Sequence, residues 1–438
     1  MTSRSRKCLT KAAWMSALMA NIVVFSPTWA AELPPLSAQE EYQPILVDGE
    51  DLPAALGKPI AKLSLQSVID GQLEPIPYQI DEYNTGGAVY FKEWGPPIDG
   101  TEGVLDNSDK LIFLFKDAGT RRDSFQVTDG KIVSEVELTD ATGIKRYVYL
   151  VEGSRLQSEE QYVRYSTDVG KVETDFYQLV YNKENQVNWD DFSYATFNGE
   201  RPLDCMKIRL IGGLFTDMST ITLNNNNLIA KPKGERVGPV RTTSQLELKL
   251  WLFNIPIMNM SYQIHHYPKS MFYDVRVVMP EARRKIISNP KMSMALDANQ
   301  LTGSTLRTAL GPQQPAVVDG AISPLEQDML RSSITPEQNW FWLSTHRNLD
   351  VVGFFNFLGA TREPLSMVYD DDFNKSNQPE RFKGEIPSVG YSIDNFPMGG
   401  FFGFVISVYL SEGFEGAPEK FTESLRTLPA IRVFPTQE

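Results

Sequence analysis

QLELKLWLF (residues 245–253) and SMFYDVRVVM (residues 270–279) decide the fold class of this chain. In the first stretch leucines occupy every second position, and in the second stretch apolar side chains alternate with Asp274 and Arg276. Successive side chains of a β-strand point to opposite faces of its sheet, so this period of two predicts strands with one face in a core. Both stretches therefore favour an antiparallel, half-buried sheet.

Strand patterns recur along most of the sequence, whereas helix patterns are rare. β-Branched and aromatic residues dominate seven further stretches, which Gly, Asn, Asp or Pro separate. These predicted strands cover residues 132–138, 146–152, 176–181, 206–210, 340–345, 351–358 and 401–410. Apolar spacing behind a proline predicts helices at residues 323–334 and 417–428. We expect a mainly β fold of antiparallel strands with few short helices.

Two polar, irregular stretches interrupt the strand patterns. Residues 222–241 concentrate asparagines, glycines and prolines and predict a long connection or wide turn, and residues 298–327 predict a flap over one end of a sandwich. Our division of the chain is a signal peptide over residues 1–30, an N-terminal β-domain over residues 31–155 and a large antiparallel β-sandwich over residues 156–438.

The first thirty residues have the pattern of a cleaved signal peptide. Four basic residues precede a short apolar stretch, and Pro27 then leads to small residues at Thr28 and Ala30. Signal peptides have this order of basic, apolar and small-residue regions. We expect an exported protein, periplasmic or secreted, without a membrane span in the mature chain; an uncleaved N-terminal anchor is the alternative.

Charge and cysteine content argue against nucleic-acid binding and against a disulfide-stabilised fold. The chain has 42 Lys and Arg against 55 Asp and Glu, and loss of residues 1–30, which hold four basic and no acidic residues, leaves a net charge of −17. Such a surface repels phosphate backbones, so nucleic acid is not an expected partner. Cys205 is the single cysteine after residue 30, which excludes an intramolecular disulfide there and favours a buried, inert thiol.

PIPYQIDE (residues 75–82) and LDNSDKLIFL (residues 105–114) predict two neighbouring strands near the N-terminus. The two prolines withhold backbone donors, which suits an edge strand or its entry. Asp and Asn side chains then cap a tight turn before a buried strand over residues 111–115. If the two strands lie side by side, four carboxylates converge on one end of the sheet: Asp81, Glu82, Asp106 and Asp109.

These two motifs resemble a P-x-P-x-Q-x-D…D-E-L-x-F pattern in the N-terminal β-domain of secreted bacterial proteins, several of them carbohydrate-active. GPVRTTSQLELKLWLFN…YQIHHYPKSMFYDVRVVM (residues 238–279) is similar to a paired-strand segment of galactose-mutarotase-like β-supersandwiches. The resemblance implies a supersandwich-like fold and a carbohydrate as substrate or ligand. Lys110 stands where the pattern has Glu, which removes one cation ligand that the family pattern would supply.

Two acidic clusters offer the oxygen ligands that Ca²⁺ prefers. Neither has the spacing of an EF-hand, and solvated turns are the alternative interpretation of both. Three consecutive carboxylates in the second cluster repel one another unless solvent or a cation separates them. The candidate ligands are Asp106 and Asp109 in the first cluster and Asp370, Asp371, Asp372 and Asn374 in the second.

Histidine is scarce, which shortens the search for a proton acceptor. His265 and His266 are neighbours in a predicted strand, so one is expected in the core and the other on the surface. A His or Tyr base in a cleft, with an arginine beside a substrate carboxylate, is what β-elimination on uronic acids requires. Packing plus one solvated imidazole is the alternative. The candidate catalytic residues are His265, His266, Tyr267, Arg276, His346 and Arg347.

Aromatic residues beside polar groups indicate a second kind of candidate site, a binding face. Trp189 precedes Asp190 and Asp191, and this group is the expected surface candidate. Trp340 and Trp342 lie in a similar mixture of aromatic and polar residues. Such mixtures line grooves on which sugars stack, whereas consecutive aromatics in a strand are typical of a core.

Three functions fit these patterns. The first is an exported β-sandwich protein that binds a glycan or another extended envelope ligand. The second is a carbohydrate-active enzyme, a polysaccharide lyase with a His or Tyr base, and the third is a structural envelope component. The sequence contains no G-x-S-x-G, G-x-x-x-x-G-K-[ST], G-x-G-x-x-G or H-E-x-x-H motif, which removes support for several other enzyme classes.

Overall fold

The computed structural model describes residues 33–123, 128–214, 218–252, 254–279, 287–311, 314–359, 363–375, 386–397, 400–414 and 416–436. The predicted signal peptide, residues 1–30, lies outside these ranges. Residues 35–438 group into one compact unit.

The described residues are mostly strands. The N-terminal strands are β1 (Pro44–Asp48), β2 (Leu63–Ile69), β3 (Gln72–Pro75), β4 (Gln79–Asp81), β5 (Lys110–Leu114), β6 (Lys131–Thr139) and β7 (Lys145–Glu152). Next come β8 (Val163–Ser166), β9 (Lys171–Thr174), β10 (Tyr177–Tyr181), β11 (Trp189–Tyr194), β12 (Leu203–Leu214), β13 (Thr220–Leu223), β14 (Leu228–Val237), β15 (Thr242–Leu252), β16 (Ile255–Tyr267) and β17 (Ser270–Met279). The last are β18 (Ile287–Ala298), β19 (Thr305–Thr308), β20 (Ala316–Val317), β21 (Ser333–Ile334), β22 (Phe341–Ser344), β23 (Asp350–Leu358), β24 (Leu365–Asp370), β25 (Ser388–Ile393), β26 (Gly400–Ser411) and β27 (Ala430–Pro435).

These strands form five antiparallel sheets, which confirms the predicted mainly β fold. The nine-stranded sheet has the order β14-β15-β16-β17-β26-β23-β22-β19-β20, and the six-stranded sheet has the order β13-β12-β18-β25-β24-β21. A four-stranded sheet (β11-β10-β9-β8), a five-stranded sheet (β27-β6-β7-β2-β3) and a three-stranded sheet (β1-β5-β4) complete the fold. The predicted strands at the seven stretches named above are all present.

The nine-stranded and six-stranded sheets share one hydrophobic core, as the two layers of a β-sandwich do. The predicted alternation is observed, because Leu246, Leu250 and Val277 are completely buried whereas Glu247 and Lys249 lie on the other face. Full burial of a side chain of this size contributes about 1.5–3 kcal/mol. The period of two in the sequence thus fixes which face of the sheet is the core face.

The N-terminal strands build a second core between the three-stranded and five-stranded sheets. β4 pairs with β5 in the predicted side-by-side arrangement, and both β3 and β4 are edge strands, as the two prolines require. β27 comes from the other end of the chain and pairs with β6. The division of the chain near residue 155 stays a prediction.

Three short helices are described: α1 (Ala38–Glu41), α2 (Pro324–Arg331) and α3 (Pro418–Arg426). The predicted helices at residues 323–334 and 417–428 are confirmed as α2 and α3. Ser323 caps α2 by accepting from the backbone N–H of Glu326, whose carboxylate accepts from the Ser323 N–H in return. Among the described residues, no helix is long and apolar enough to cross a membrane.

The prediction of a long connection over residues 222–241 is wrong for most of that stretch. The turn between β13 and β14 is confined to the four asparagines, β14 then covers Leu228–Val237, and a second turn over residues 238–241 leads into β15. Asn225 supports the turn from inside, because its Oδ1 accepts from the Ile208 N–H at 2.8 Å and its Nδ2 donates to the Met206 carbonyl at 3.2 Å. The polar residues downstream belong to β14, an edge strand in which Pro232, a bulge and exposed lysines discourage pairing with other chains.

Asp117 follows β5 and links the N-terminal strands to residue 162. The Tyr162 hydroxyl donates to Asp117 Oδ1 at 2.7 Å, and Lys116 lies over the Tyr162 ring. Burial raises the pKa of the Asp117 carboxyl from 3.8 to about 7, with the Tyr162 hydrogen bond opposing the shift. The Asp117 carboxyl therefore binds a proton more tightly in the folded chain than in the unfolded chain.

We predict that Asp117 makes the protein less stable as the pH rises from about 4 to about 7, the interval between its unfolded and folded pKa values. Asp117→Asn keeps an oxygen for Tyr162 and has no proton to lose. Its melting temperature should exceed that of the wild type at neutral pH and should vary less across this interval. Thermal unfolding at a series of pH values measures both, with the exposed Asp191→Asn as control. Equal pH profiles for wild type and Asp117→Asn would contradict this account.

Candidate functional site

The outer face of the nine-stranded sheet carries a block of polar side chains where β15, β16 and β17 run side by side. Gln245, Gln263 and Asp274 are cross-strand partners in one row, and Ser261 and Arg276 pair in the next row. Paired residues share a face, and the alternate residues of these strands fill the core. The block is thus set by the same period of two that builds the core.

A loop from the N-terminal part of the chain covers this polar block. We call residues 82–99 the roof segment. Gln263 holds it like a neighbouring strand, because Gln263 Oε1 accepts from the Val89 N–H at 3.0 Å and Gln263 Nε2 donates to the Val89 carbonyl at 2.7 Å. Arg236 Nε donates to the Tyr90 carbonyl at 2.9 Å, and Arg276 donates to the Gly86 carbonyl.

Gly87 is required where the roof segment approaches Arg276. Its φ of 72° lies in the left-handed region, which favours glycine. A Cβ atom at this position would also lie 3.0 Å from Arg276 Nη1. The "TGG" of the sequence, residues 85–87, therefore shapes the roof segment as well as ending a strand.

Arg241 anchors the chain just before the roof segment. Its guanidinium is buried, donates from Nε to Asp81 Oδ2 at 2.7 Å, and donates to the hydroxyls of Tyr267 at 2.8 Å and Tyr83 at 3.2 Å. Gln79 Oε1 accepts from the backbone N–H of Arg241 at 2.9 Å. A buried guanidinium needs such a set of acceptors, because an unpaired charge in the interior is costly.

Of the four carboxylates predicted to converge near this point, Glu82, Asp106 and Asp109 lie near one another, whereas Asp81 pairs with Arg241. Asp109 Oδ1 accepts from the Tyr83 N–H at 3.2 Å, and Asp109 Oδ2 accepts from the Asp106 N–H at 2.8 Å. Burial raises the pKa of Asp109 to about 6, with Glu82 and Asp106 adding to the rise. Glu82 pairs with Arg236 at 3.3 Å. The carboxylates thus fix the start of the roof segment by binding backbone and arginine groups.

A cleft of about 380 Å³ remains between the roof segment and the sheet. Its polar lining comprises Asn84, Gln245, Ser261, Gln263, Asp274 and Arg276. Its apolar lining includes Ala88, Trp94, Pro96 and Phe401. Clefts that combine apolar walls with a few placed polar groups are the usual form of small-molecule sites. This cleft is the candidate functional site.

The polar lining can form hydrogen bonds in fixed directions. Arg276 Nε and Nη2 donate to the two oxygens of Asp274 at 2.9 and 3.0 Å, a bidentate pair that orients both side chains. Ser261 Oγ accepts from Gln245 Nε2 at 2.6 Å and has its own proton to donate. Asn84 Oδ1 accepts from the Gly86 and Ala88 N–H groups, so its amide nitrogen is the donor it can offer.

Arg276 is the predicted catalytic residue that lines this cleft, whereas His265 and Tyr267 lie on the same face of β16 but are buried beyond the lining. The expectation that one of the two adjacent histidines is solvated is wrong, because the chain around Asp81 and Tyr83 also covers the outer face. His265 Nδ1 lies 2.9 Å from Thr243 Oγ1. Burial, assisted by nearby arginines, lowers the pKa of His265 well below its ordinary value.

His266 occupies the core face, as its position next to His265 requires. Its ring nitrogens lie 3.2 Å from the Tyr177 hydroxyl and 2.9 Å from the Tyr181 hydroxyl. Burial lowers the pKa of His266 to about 3. His266 is thus a neutral, hydrogen-bonded core residue, separated from the cleft by its own strand.

His346 and Arg347 lie in the turn between β22 and β23 and contact other residues than those of the cleft. His346 Nε2 is 3.0 Å from Thr305 Oγ1. Arg347 donates to the Gln300 carbonyl at 2.9 Å and lies over the Phe197 ring. The structure therefore does not bring the six predicted catalytic residues into one site.

The expected surface position of Trp189 is wrong. Its side chain is 1% exposed and packs against Phe192, with 5.6 Å between the ring centroids, whereas Asp190 and Asp191 are exposed. Residues 189 and 192 both face inward because a bulge in β11 between Trp189 and Asp191 interrupts the alternation, so that both aspartates are exposed. Of this predicted group, only the two carboxylates can meet a ligand in solution.

Trp340 and Trp342 are also buried. They lie on the outer face of the nine-stranded sheet beneath α3, where they form a separate cluster with Phe354 and Phe421. Trp342 Nε1 donates to Asp350 Oδ2 at 2.9 Å. The outer face is thus covered twice, by the roof segment at one side and by α3 at the other, and the tryptophans belong to the second cover.

The acidic clusters bind backbone groups of the protein. Asp371 is buried, and its Oδ2 accepts from the N–H groups of residues 319 and 320. Asp370 and Asp372 each accept from a backbone N–H two residues further on, the latter from Asn374. Among the described residues, no three His, Cys, Asp or Glu side chains are grouped to hold a metal ion. Bound calcium stays a prediction.

Sequence patterns did not point to several residues of the cleft. Trp94 lies in a stretch rich in glycine and proline, and Asn84 lies in a stretch rich in turn-forming residues. Gln245 and Gln263 looked like ordinary outward residues of half-buried strands. The available signal was Ser261 and Gln263 at alternate positions on one face of β16, where a solvated strand more often carries Lys and Glu.

Comparisons with known proteins give distant structural neighbours. No protein-family model matches the sequence, and no curated protein matches it. The fold is similar to an alpha-mannosidase from Enterococcus faecalis V583, with a TM-score of 0.46, 10% identity, and coverage of 91% of this chain and 45% of that one. It is also similar to a protein in the Glycosyl Hydrolase Family 38 from Enterococcus faecalis, with a TM-score of 0.43, 9% identity, and coverage of 91% and 46%. The chain spans less than half the length of each.

We predict that Arg241→Met lowers the free energy of unfolding by about 3–5 kcal/mol, because it leaves Asp81 buried without its cation. Asp81→Asn should also destabilise, and the double variant should lose less than the sum of the two single variants. Denaturant-induced unfolding measures these changes. The control is Lys92→Ala, which breaks the exposed Lys92–Glu102 pair and should cost less than about 1 kcal/mol. Equal losses for Arg241→Met and Lys92→Ala would contradict the anchoring role.

Proposed function

We propose that this chain is an exported protein that binds a glycan in the cleft under the roof segment. The observation that carries the proposal is the lining of the cleft, in which Trp94 and Phe401 lie beside amide, hydroxyl, carboxylate and guanidinium groups. Phe401 is 53% exposed, although it belongs to a strand whose neighbouring positions are core. An exposed phenylalanine at the mouth of a polar cleft is an apolar surface available to a ligand.

Sugar rings match this combination of groups. A pyranose has apolar C–H faces that pack against aromatic rings, and hydroxyl groups around its edge that both donate and accept hydrogen bonds. The cleft supplies acceptors in Asp274 and donors in Arg276 and the Ser261 hydroxyl. Its volume of about 380 Å³ is in the range of small-ligand sites, which suits a short section of a longer chain.

Binding without chemistry has more support here than a lyase reaction. A lyase needs a base that reaches the substrate, yet His265 is buried and its lowered pKa makes it a poor proton acceptor. The Tyr267 hydroxyl accepts from Arg241, and burial raises the pKa of Tyr267 to about 12. Glycoside hydrolysis by paired carboxylates also lacks support, because Asp274 is the single carboxylate among the described residues that line the cleft.

Export is the second part of the proposal, and the sequence of residues 1–30 supports it. Basic, apolar and small-residue regions follow one another in the order of a signal peptide. A binding protein with a strongly acidic surface stays soluble outside the cytoplasm.

We predict that Trp94→Ala weakens glycan binding by about 2 kcal/mol, or roughly thirtyfold in Kd, because truncation removes a stacking surface. Isothermal titration calorimetry against the glycans that raise the melting temperature of the wild type measures this loss. Phe434→Ala is the matched control, since Phe434 is an exposed aromatic residue on β27 and lies in a different sheet. Equal affinities in Trp94→Ala and wild type would remove the cleft as the site. New ultraviolet absorbance from unsaturated uronates would favour a lyase instead.

We predict that the exported protein begins near residue 31. Expression of the full chain in a bacterium, followed by mass spectrometry of the extracytoplasmic fraction, should give a form without the first 30 residues. Recovery of the uncleaved chain from the cytoplasm alone would contradict export.

A further inference from the structure

We propose that the ligand of the cleft is an uncharged glycan and that the ion pair between Asp274 and Arg276 excludes chains that carry carboxylates. This inference rests on the proposed function and adds the charge class of the ligand. Among the described lining residues, Asp274 and Arg276 are the charged ones, and each neutralises the other. The floor of the cleft therefore offers directional hydrogen bonds with no net charge.

The geometry of the pair leaves little of Arg276 for an anionic ligand. Its Nε and Nη2 atoms, one side of the guanidinium fork, donate to both oxygens of Asp274. Its Nη1 atom donates to the Gly86 carbonyl in the roof segment. A carboxylate on a sugar would have to displace Asp274 to gain a bidentate contact on the Nε and Nη2 side, which exchanges one such pair for another and leaves Asp274 without its cation.

The other cations near the roof segment are paired as well. Arg236 contacts Glu82 at 3.3 Å, Lys233 contacts Glu247 at 3.1 Å, and the exposed Lys92 contacts Glu102 at 3.2 Å. Lys233 also lies over the Trp94 ring, 4.5 Å from its centroid. Each of these three cations thus already contacts a carboxylate.

The charge of the whole chain acts in the same direction. The sequence carries 13 more acidic than basic residues, and the excess grows when residues 1–30 are removed. A polyanionic glycan approaches such a surface against a repulsive potential, whereas a neutral glycan does not. Both classes of glycan can make the other contacts of the cleft, but electrostatic repulsion opposes the binding of acidic chains. The protein therefore prefers uncharged chains.

The test compares neutral hexose oligosaccharides with their counterparts in which the C6 hydroxymethyl group is a carboxylate, at equal length and linkage. Calorimetry with the mature protein should show binding of neutral members, and binding of the carboxylate counterparts at least about tenfold weaker. The affinity for the neutral members should change little when salt is raised, because no net charge is neutralised on binding.

Asp274→Asn is the decisive variant. It releases the Arg276 fork, so the preference for the neutral member should shrink by about tenfold or reverse. Glu102→Gln is the control, because it removes one negative charge from an exposed pair outside the cleft lining and should leave the preference unchanged. The melting temperature of each variant shows whether it is folded, and the salt dependence of the wild type tests the inference independently of any variant.

Two results would overturn the inference, and they are distinguishable. Tighter binding of the carboxylate members by the wild type, with an affinity that falls as salt is raised, would refute the neutral ligand and leave glycan binding in place. Failure of every neutral and acidic member to bind would refute the proposed function and this inference together.

Discussion

The buried ion pair between Arg241 and Asp81 is the constraint on which the candidate site depends. Arg241 lies directly before β15 of the nine-stranded sheet, and Asp81 ends β4 in the N-terminal part of the chain. The pair therefore joins segments that are 160 residues apart in sequence. Because neither charge has solvent to replace its partner, the roof segment that follows Asp81 can start only where Arg241 lies.

The sequence motifs noticed separately prove to be parts of one contact. Gln79 and Asp81 come from PIPYQIDE, and Gln79 Oε1 accepts from the N–H groups of Val240 and Arg241 in the G-P-V-R turn. Asp109, from LDNSDK, accepts from the N–H of Tyr83 at the start of the roof segment. The prolines, the glutamine and the acidic turn thus position one loop over one sheet face.

The fold was more predictable from the sequence than the site was. The alternation in β15 and β17 assigns each side chain to a face, and Pro75 in β3 and the Ser-Pro start of α2 act locally, on the edge position of a strand and on the start of a helix. Alternation cannot say what covers the outer face, since that depends on contacts between distant segments. For this reason one of the two adjacent histidines was expected on the surface although both are buried, the candidate binding residues Trp340 and Trp342 are buried, and Trp94 in the roof segment was not recognised.

The position of the cleft follows from how the covered face satisfies its polar groups. Gln263 is buried without cost to its amide because the Val89 backbone supplies a donor and an acceptor, and Gln245 completes the row through Gln263 and Ser261. Next to this row the roof segment meets Arg276 through the Gly86 carbonyl, and Asp274 and Arg276 also satisfy each other. A cover that met the whole polar block would leave no site. Since the roof segment contacts the block through Gln263 and Arg276, Ser261 and Asp274 remain polar, oriented and open to a ligand.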